Sequence, residues 1–415
     1  MRILLSAFAF APNTGSEPGV GWRWAVELAR EHEVTVITDP SRAAKVEPVL
    51  AAQPLPRLRV EYWRPGWLRR MPLNARTAHL MYLAWQFGLL VKARQLQRQQ
   101  PFDLAMHLTY GVFRHPCFLG YLGVPFVFGP VGGGEDVPWG LKRSLDRREK
   151  LKELLRSAAN GIARWDPFLW LALRRADLIL TKTADTRDAL PAPWRAQALV
   201  FPEIGIDAAA GRSAPRRAPG EPLRVLFAGR LLGWKGVHLA LRAVAHALAS
   251  GADVHFTVVG SGPCRDTLHT LAGKLGLGPQ RLQWREHMPQ AELFALYAGS
   301  HCVLFPSLHD SSGNVVLEAQ SYGLPVICID RGGPATLVGP GTARVVSTSS
   351  CDEAELVQSL GAALVEMAGD EVLRHAMGEA ALEHVRHAGW ATRVQDAMTL
   401  IRRELAPAFA ARAVT

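Results

Sequence analysis

The sequence predicts an α/β protein made of two doubly wound parallel-sheet domains, and three observations carry that prediction. The chain has 415 residues, too many for one ordinary core and suited to two domains of about 200 residues each. Short runs of Val, Ile, Leu and Phe alternate with stretches of helical spacing through both halves, the pattern of parallel sheets covered by helices on both faces. Between the halves lies IDAAAGRSAPRRAPGEP, Ile206 to Pro222. It is rich in Ala, Pro, Gly and Arg, has no hydrophobic period, and reads as a linker.

The first strand is RILLSAFAF, which reaches a Gly/Pro loop too soon for a signal peptide with its cleavage site. EVTVITD, RLRVEYW, DLAMHL, PFVFGPV and DLILTKT continue the first half. LRVLFAGR, VHFTVVGSG, HCVLFP and PVICID build the second. The longest internal apolar run, LMYLAWQFGLLV from Leu80 to Val91, falls short of the roughly twenty residues that span a bilayer, so no transmembrane helix is expected. Ligands in doubly wound folds sit at the carboxyl ends of the strands, so residues just after strands are the candidates for chemistry.

With 48% hydrophobic and 20% charged residues, disordered and fibrous classes are excluded. The cysteines Cys117, Cys264, Cys302, Cys328 and Cys351 form an odd set without a CxxC pair, which reads as reduced, buried thiols in a cytoplasmic protein. A net charge of +10 suits nucleic acid, anionic lipid or phosphorylated ligands alike. The chain shows no zinc-ligand spacing, RNP-like stretch or basic run, so a nucleic-acid partner is not expected.

In the second half, PSLHDSSGNVVLEAQSYGLPVICID (Pro306 to Asp330) reads as strand end, loop, short helix and next strand. Gly313 and Asn314 then sit at a helix start, where unpaired N–H groups and the positive dipole end suit a phosphate. Glu318 falls about one turn into the helix, within reach of ribose hydroxyls, and Asp310 stands on the loop. The plain alternative is that Asp310 and Ser312 cap a helix and Glu318 is solvated. LRVLFAGRLLGWKG places Arg230 at a strand end and Lys235 five residues later. A guanidinium fork and a compact ammonium there can neutralise charge on a departing diphosphate; the alternative is two solvated loop cations.

In the first half, APNTGSEPGVGW brings Gly15, Gly19 and Gly21 into the loop after the first strand. Their spacing is not the dinucleotide fingerprint, because Trp24 stands where its third glycine belongs. His107 ends the strand DLAMHL and is either a ligand-facing hydrogen-bonding group or a structural histidine. GPVGGGED follows another strand, and its Gly133, Gly134 and Glu135 are assigned to the second substrate, since successive glycines admit close backbone approach. The segment WLRRMPLNARTAHLMYLAWQFGLLVKARQLQR interleaves basic and aromatic residues, as a helix lying on an anionic membrane does. Its alternative is a core helix with solvated ends.

Together these residues resemble family 4 of the retaining glycosyltransferases, whose GT-B fold has two facing Rossmann-like domains. The resemblance covers nearly the whole chain and is strongest from Arg224 to Gly333. Family members carry a strand-end Gly-Arg followed by Lys-Gly, here GRLLGWKG. They also carry a Pro-Ser loop leading to two acidic residues with seven residues between them, here Asp310 and Glu318, and then RGG at Arg331 to Gly333. The resemblance implies an acceptor-binding domain over 1–205, with a C-terminal helix at about 390–412 packing back on it, a linker over 206–222 and a nucleotide-sugar domain over 223–389.

It further implies that Arg230 and Lys235 hold the donor diphosphate and that backbone at Ser312, Gly313, Asn314 and Val315 assists. Glu318 would bind the ribose, and His107 would face the transferred sugar. Asp310 is one methylene shorter than the family's Glu, so donor identity does not carry over. SEPGVGW departs from the commoner Gly-Gly wall, with Gly19 and Gly21 taking its part. Together with GPVGGGED it resembles a subgroup of bacterial surface-polysaccharide enzymes, those of lipopolysaccharide and exopolysaccharide synthesis.

The implied reaction moves a hexosyl group from a UDP- or GDP-sugar to an acceptor hydroxyl with retention at the anomeric carbon. The acceptor would be a lipid-linked or growing surface glycan, and the enzyme would act in the cytoplasm at the inner face of the cell membrane. The nucleotide sugar is a co-substrate. No Asp-x-Asp occurs and paired cations stand where a divalent ion would act, so neither metal nor cofactor is expected. The alternatives are a sugar-nucleotide epimerase or a glycan phosphorylase of related fold, and a basic nucleic-acid-binding protein.

Overall fold

The computed structural model describes residues 1–68, 77–207, 212–349 and 352–413. Cys351, part of the linker (208–211) and part of the basic aromatic segment (69–76) lie outside these residues. The chain forms two compact units, and each contains one fully parallel sheet. This is the two-domain, doubly wound α/β class that the alternating apolar runs predict.

Unit 1 comprises Met1–Gly134, Ala159–Ile204 and the stretch from Trp390. Its strands are β1 (Arg2–Ala7), β2 (Glu33–Thr38), β3 (Leu58–Tyr62), β4 (Leu104–Thr109), β5 (Phe126–Val131), β6 (Leu178–Thr181) and β7 (Ala198–Val200), in the order β3-β2-β1-β4-β5-β6-β7. The central strands are buried along their length, which is why they are continuous apolar runs rather than alternating ones. Phe8, Tyr82, Trp85, Phe126 and Phe128 fill the core on one face. The Trp390–Glu404 helix closes the unit, with Arg393 Nε donating to the Ile204 carbonyl at 3.1 Å.

Unit 2 comprises Glu135–Ala158 and Gly205–Gly389. Its strands are β8 (Leu223–Ala228), β9 (Val254–Val259), β10 (Leu282–Arg285), β11 (Cys302–Phe305), β12 (Val326–Ile329) and β13 (Ala343–Val346), in the order β10-β9-β8-β11-β12-β13. The expected 206–222 linker is pinned to this unit. Ala214 N donates to Glu379 at 2.8 Å, and the Arg217 guanidinium donates to the Ala368 carbonyl at 2.7 Å. Glu135–Ala158, placed by sequence in the N-terminal domain, groups with unit 2 because its side chains engage the loops after β8 and β11, as described below.

Strand order reverses between β1 and β4 in unit 1 and between β8 and β11 in unit 2. At such a reversal the loops leaving adjacent strands diverge and open a crevice at the carboxyl ends. The candidate residues of the second half all follow β8 or β11. No helix among the described residues is long and apolar enough to cross a membrane. Cys117, Cys264, Cys302 and Cys328 are free and buried.

Candidate functional site

Unit 2 builds its site at the β8/β11 reversal. After β8 the chain passes Gly229 and Arg230, makes a short 3-10 turn at Gly233–Lys235, and enters the Val237–Ala249 helix through Gly236. Gly236 has φ of +73°, and a Cβ on it would collide with the Pro306 carbonyl after β11; only glycine satisfies both demands. This close approach sets Lys235 beside the second loop, where its ammonium pairs with Asp310 and lies 4.6 Å from the Trp234 ring centroid. Asp310 also accepts hydrogen bonds from the Ser312 and Gly313 amides, both at 3.3 Å. Burial pushes the Asp310 carboxyl up, but the Lys235 charge and these amides outweigh it and hold the group below the usual aspartate range.

The two cations are therefore not equivalent. Lys235 is neutralised by Asp310, whereas Arg230 is exposed and its guanidinium has no hydrogen-bond or ionic partner among the described residues. Gly313, with φ of +72°, turns the chain into the seven-residue Asn314–Gln320 helix. Ser312, Gly313, Asn314 and Val315 thus form the bend that sequence analysis places at a helix start. The bend is seated on the RGG stretch, where Gly333 N donates to the Asp310 carbonyl at 2.5 Å. A Cβ on Gly333 would lie 2.6 Å from the Ser312 carbonyl oxygen. Glu318 is nearly buried one turn into the helix, and its Oε2 accepts from the Tyr297 hydroxyl at 3.1 Å. Burial raises its carboxyl above the ordinary glutamate value.

Sequence reasoning missed the support beneath the loop. His309 stacks on Trp234 with centroids 4.4 Å apart, and its Nε2 lies 2.8 Å from Glu153 Oε1. Burial is the first cause that lowers the His309 pKa, which favours its neutral form. The Ser311 hydroxyl donates to Glu135 Oε2 at 2.7 Å, and Arg156 stands 3.7 Å from the same carboxylate. Glu135, assigned by sequence to the second substrate, is placed here with its carboxylate buried and holding Ser311. Trp234 beside Lys235, and His309 beside Asp310, were the only local signals of this support.

In unit 1 His107, expected from the resemblance to face the transferred sugar, lies in the core. Its side is 1% exposed, Nε2 lies 3.0 Å from the Tyr82 hydroxyl, Nδ1 lies 3.3 Å from Ser6 Oγ, and the ring stacks on Phe128. Burial, followed by the charges of His115 and Lys182, lowers its pKa to about 3, so it is a neutral core histidine. Gly19 and Gly21 are not in a loop but inside the Ser16–Ala29 helix. A Cβ on Gly21 would lie 2.6 Å from the Ala9 carbonyl oxygen and 2.9 Å from Thr109 Cγ2, so this glycine lets the helix press against the ends of β1 and β4. Gly133 (φ +88°) and Gly134 are packed within unit 1: a Cβ on Gly133 would lie 2.9 Å from Val112, and Gly134 N donates to the Thr186 hydroxyl at 3.1 Å.

The polar group that does occupy the strand ends of unit 1 went unread. Glu17 accepts the Tyr110 amide at 2.6 Å and lies 3.3 Å from Lys182, which also pairs with Glu203 at 2.8 Å. Burial disfavours the Lys182 charge, but the two carboxylates outweigh it and push its pKa up. The lysine closing DLILTKT was its only sequence signal.

Among the described residues, no group of three or more His, Cys, Asp and Glu side chains could hold a metal ion. The sequence model of the family described as "Glycosyl transferases group 1" matches residues 212–384, which is most of unit 2. The chain is 34% identical over 186 residues to a D-inositol 3-phosphate glycosyltransferase of Corynebacterium aurimucosum, a match covering 42% of each chain. It thus spans about half the length, or less, of the curated relatives it first matches. Among solved structures, the lipopolysaccharide outer core galactosyltransferase WaaB in its apo form is similar in fold, with TM-score 0.64 and 12% identity over 98% of this chain and 100% of that one. Anabaena HepE in complex with UDP is similar with TM-score 0.61 and 17% identity, over 96% of this chain and 99% of that one.

Proposed function

We propose, from the premise that residues 212–384 form a group 1 glycosyltransferase domain, that the chain transfers a hexosyl group from a UDP- or GDP-sugar to an acceptor hydroxyl with retention at the anomeric carbon. One observation carries the reading: the β8/β11 reversal of unit 2 gathers Arg230, the Lys235–Asp310 pair and the Ser312–Val315 bend at the ends of two adjacent strands, with Glu318 on the helix that follows the bend. The diphosphate binds Arg230 and Lys235, the bend lends backbone N–H groups, and Glu318 accepts the ribose hydroxyls. In the reaction the anomeric carbon to phosphate oxygen bond breaks and the acceptor oxygen forms the new bond. The acceptor proton passes to a donor phosphate oxygen, and the cations stabilise the leaving diphosphate.

A side-chain guanidinium and ammonium supply the charge, so the reaction needs no divalent metal, and the nucleotide sugar is the only co-substrate. The acceptor is a hydroxyl of a surface glycan or of its lipid-linked precursor, and the net charge of +10 favours work beside an anionic membrane. The UDP in the HepE structure makes uracil the first base to test.

Thermal shift and calorimetry with UDP, GDP, ADP and their sugars, in the presence of a chelator, test the reading. One nucleotide is expected to raise the unfolding temperature saturably, and Arg230→Ala and Glu318→Ala to weaken that effect. Arg230→Ala should also cost about two powers of ten in turnover. If no nucleotide binds the wild-type chain, the reading fails.

A further inference from the structure

We infer that Tyr297 is a positioning residue for the Glu318 carboxylate, and that through it the chain selects a ribonucleotide over a deoxyribonucleotide; the inference rests on the nucleotide-sugar reading above. Tyr297 stands near the end of the Gln290–Ala298 helix and is fully buried, and its hydroxyl donates to Glu318 Oε2 at 3.1 Å. Its ring is stacked on Tyr322, with centroids 5.7 Å and planes 23° apart. Tyr322 is held in turn by the Arg212 guanidinium, 3.6 Å from its centroid, and Arg212 Nη1 donates to the Ser321 carbonyl at 2.9 Å. Phe294 packs against both tyrosines, 6.4 Å from Tyr297 and 5.6 Å from Tyr322. The phenol therefore has a fixed place, and Glu318 is the group that it fixes.

The terminal torsion of a glutamate is broad, so a carboxylate without a partner takes many orientations. Here one oxygen is tied to Tyr297, and the other, Oε1, has no hydrogen-bond partner among the described residues. Burial is the first cause that disfavours the Glu318 charge, and the Tyr297 hydrogen bond opposes it. Tyr297 keeps its own proton, because burial and then the Glu318 charge push its pKa up, so toward the carboxylate it acts as a donor. The arrangement leaves one acceptor atom of set direction, which suits a hydroxyl. A nucleoside diphosphate offers two hydroxyls on its ribose, and the dideoxy form offers none. A carboxylate that meets no hydroxyl in a filled site loses both its water and its partner, which is how a polar site rejects an analogue lacking one group. Removing only the Tyr297 hydroxyl keeps the charge and the stacked ring but lets the carboxylate turn. The loss then falls on ribose recognition rather than on the diphosphate or the base.

Calorimetry of the full chain with UDP, GDP and the dideoxyribose form of each tests this. Wild type is expected to bind one ribose diphosphate at least about tenfold more tightly than its dideoxy form, the scale of a hydrogen bond to a charged group. Tyr297→Phe is expected to cut that preference to roughly threefold or less, by weakening the ribose form while leaving the dideoxy affinity unchanged. Glu318→Ala should abolish the preference, and adding Tyr297→Phe to it should change nothing further. A merely structural tyrosine gives another pattern: both ligands weaken alike, and the loss adds to that of Glu318→Ala. That pattern overturns the inference. Wild type that prefers ribose while Tyr297→Phe keeps the full preference overturns it alone and leaves the ribose role of Glu318 standing. Wild type that binds both forms equally, or neither, removes that ribose role, and the inference falls with the reading on which it rests. Thermal midpoints above the assay temperature show that the variants are folded during the measurement.

Discussion

Lys235 and Asp310 neutralise each other across the loops that follow β8 and β11, so under the proposed function a donor diphosphate would compete with a carboxylate for the ammonium. Arg230 has no such competitor among the described residues and, under the proposed function, is the cation that receives the anion. The competition can be measured. Asp310→Asn leaves a carbonyl oxygen to accept the Ser312 and Gly313 amides but removes the charge that ties Lys235. Free UDP is then expected to bind about fivefold more tightly, the scale of a partly solvated ion pair, whereas Lys235→Ala weakens it. Calorimetry that finds UDP weakened by Asp310→Asn would make Asp310 a ligand-supporting group rather than a competitor. The pairing was half legible: sequence spacing brought both residues to strand ends but could not show that they meet, because 75 residues separate them. His107 is the reverse case. A histidine at a strand end looks the same in sequence whether its ring faces solvent or Tyr82, and the core around it decides.

Gly236 decides whether the loop after β8 and the Val237–Ala249 helix can coexist with the Pro306 loop. Gly236→Ala introduces a Cβ at positive φ and against a carbonyl oxygen, and should destabilise the protein by about 1–2 kcal/mol or more. The urea midpoint measures the loss, and an unchanged midpoint would show that the Pro306 loop yields without cost. At this scale the sequence was most readable where burial is two-sided. Every central strand was visible as a continuous apolar run, whereas β7, β10 and β13 were not. All three are edge strands with partial burial, so short stretches such as LQWR and ARVV carry no run to detect. The Ser16–Ala29 helix was misread for a different reason. Its glycines suggested a loop, yet Glu17 and Pro18 in its first turn are helix-start signals, and close packing against β1 required Gly21. The support that Glu135 and Glu153 give to the β11 loop joins residues 176 and 156 positions apart, beyond any local pattern.

At the scale of the whole molecule, each unit buries a histidine that resists protonation, and this sets how the protein responds to acid. His107 in unit 1 and His301 in unit 2 are each 1% exposed. Burial is the first cause for both. His115 and Lys182 add to it at His107, and Arg224, Arg374 and Arg217 at His301, lowering each pKa to about 3. In the unfolded chain both titrate near the ordinary imidazole value of 6.5. Between those values the unfolded state binds more protons, so stability is fully present above pH 6.5 and is lost as pH falls toward 3. The slope approaches about 1.4 kcal/mol per pH unit for each histidine. Glu318, raised by burial, acts in the opposite sense, and Asp310, held below its ordinary range, acts at lower pH. From pH 7.5 to 5.5 the buried histidines dominate, with His238, lowered to about 4 by burial, and His309 acting in the same sense as these two. Urea unfolding followed by tryptophan fluorescence should show the midpoint falling across that interval. His107→Gln, which keeps a polar partner for Tyr82 but does not titrate, should flatten the fall even if it lowers the midpoint at pH 7.5. A wild-type midpoint that stays level from pH 7.5 to 5.5 would mean that these rings gain protons in the folded protein as readily as in the unfolded one, and that the two cores admit charge where their packing says they exclude it.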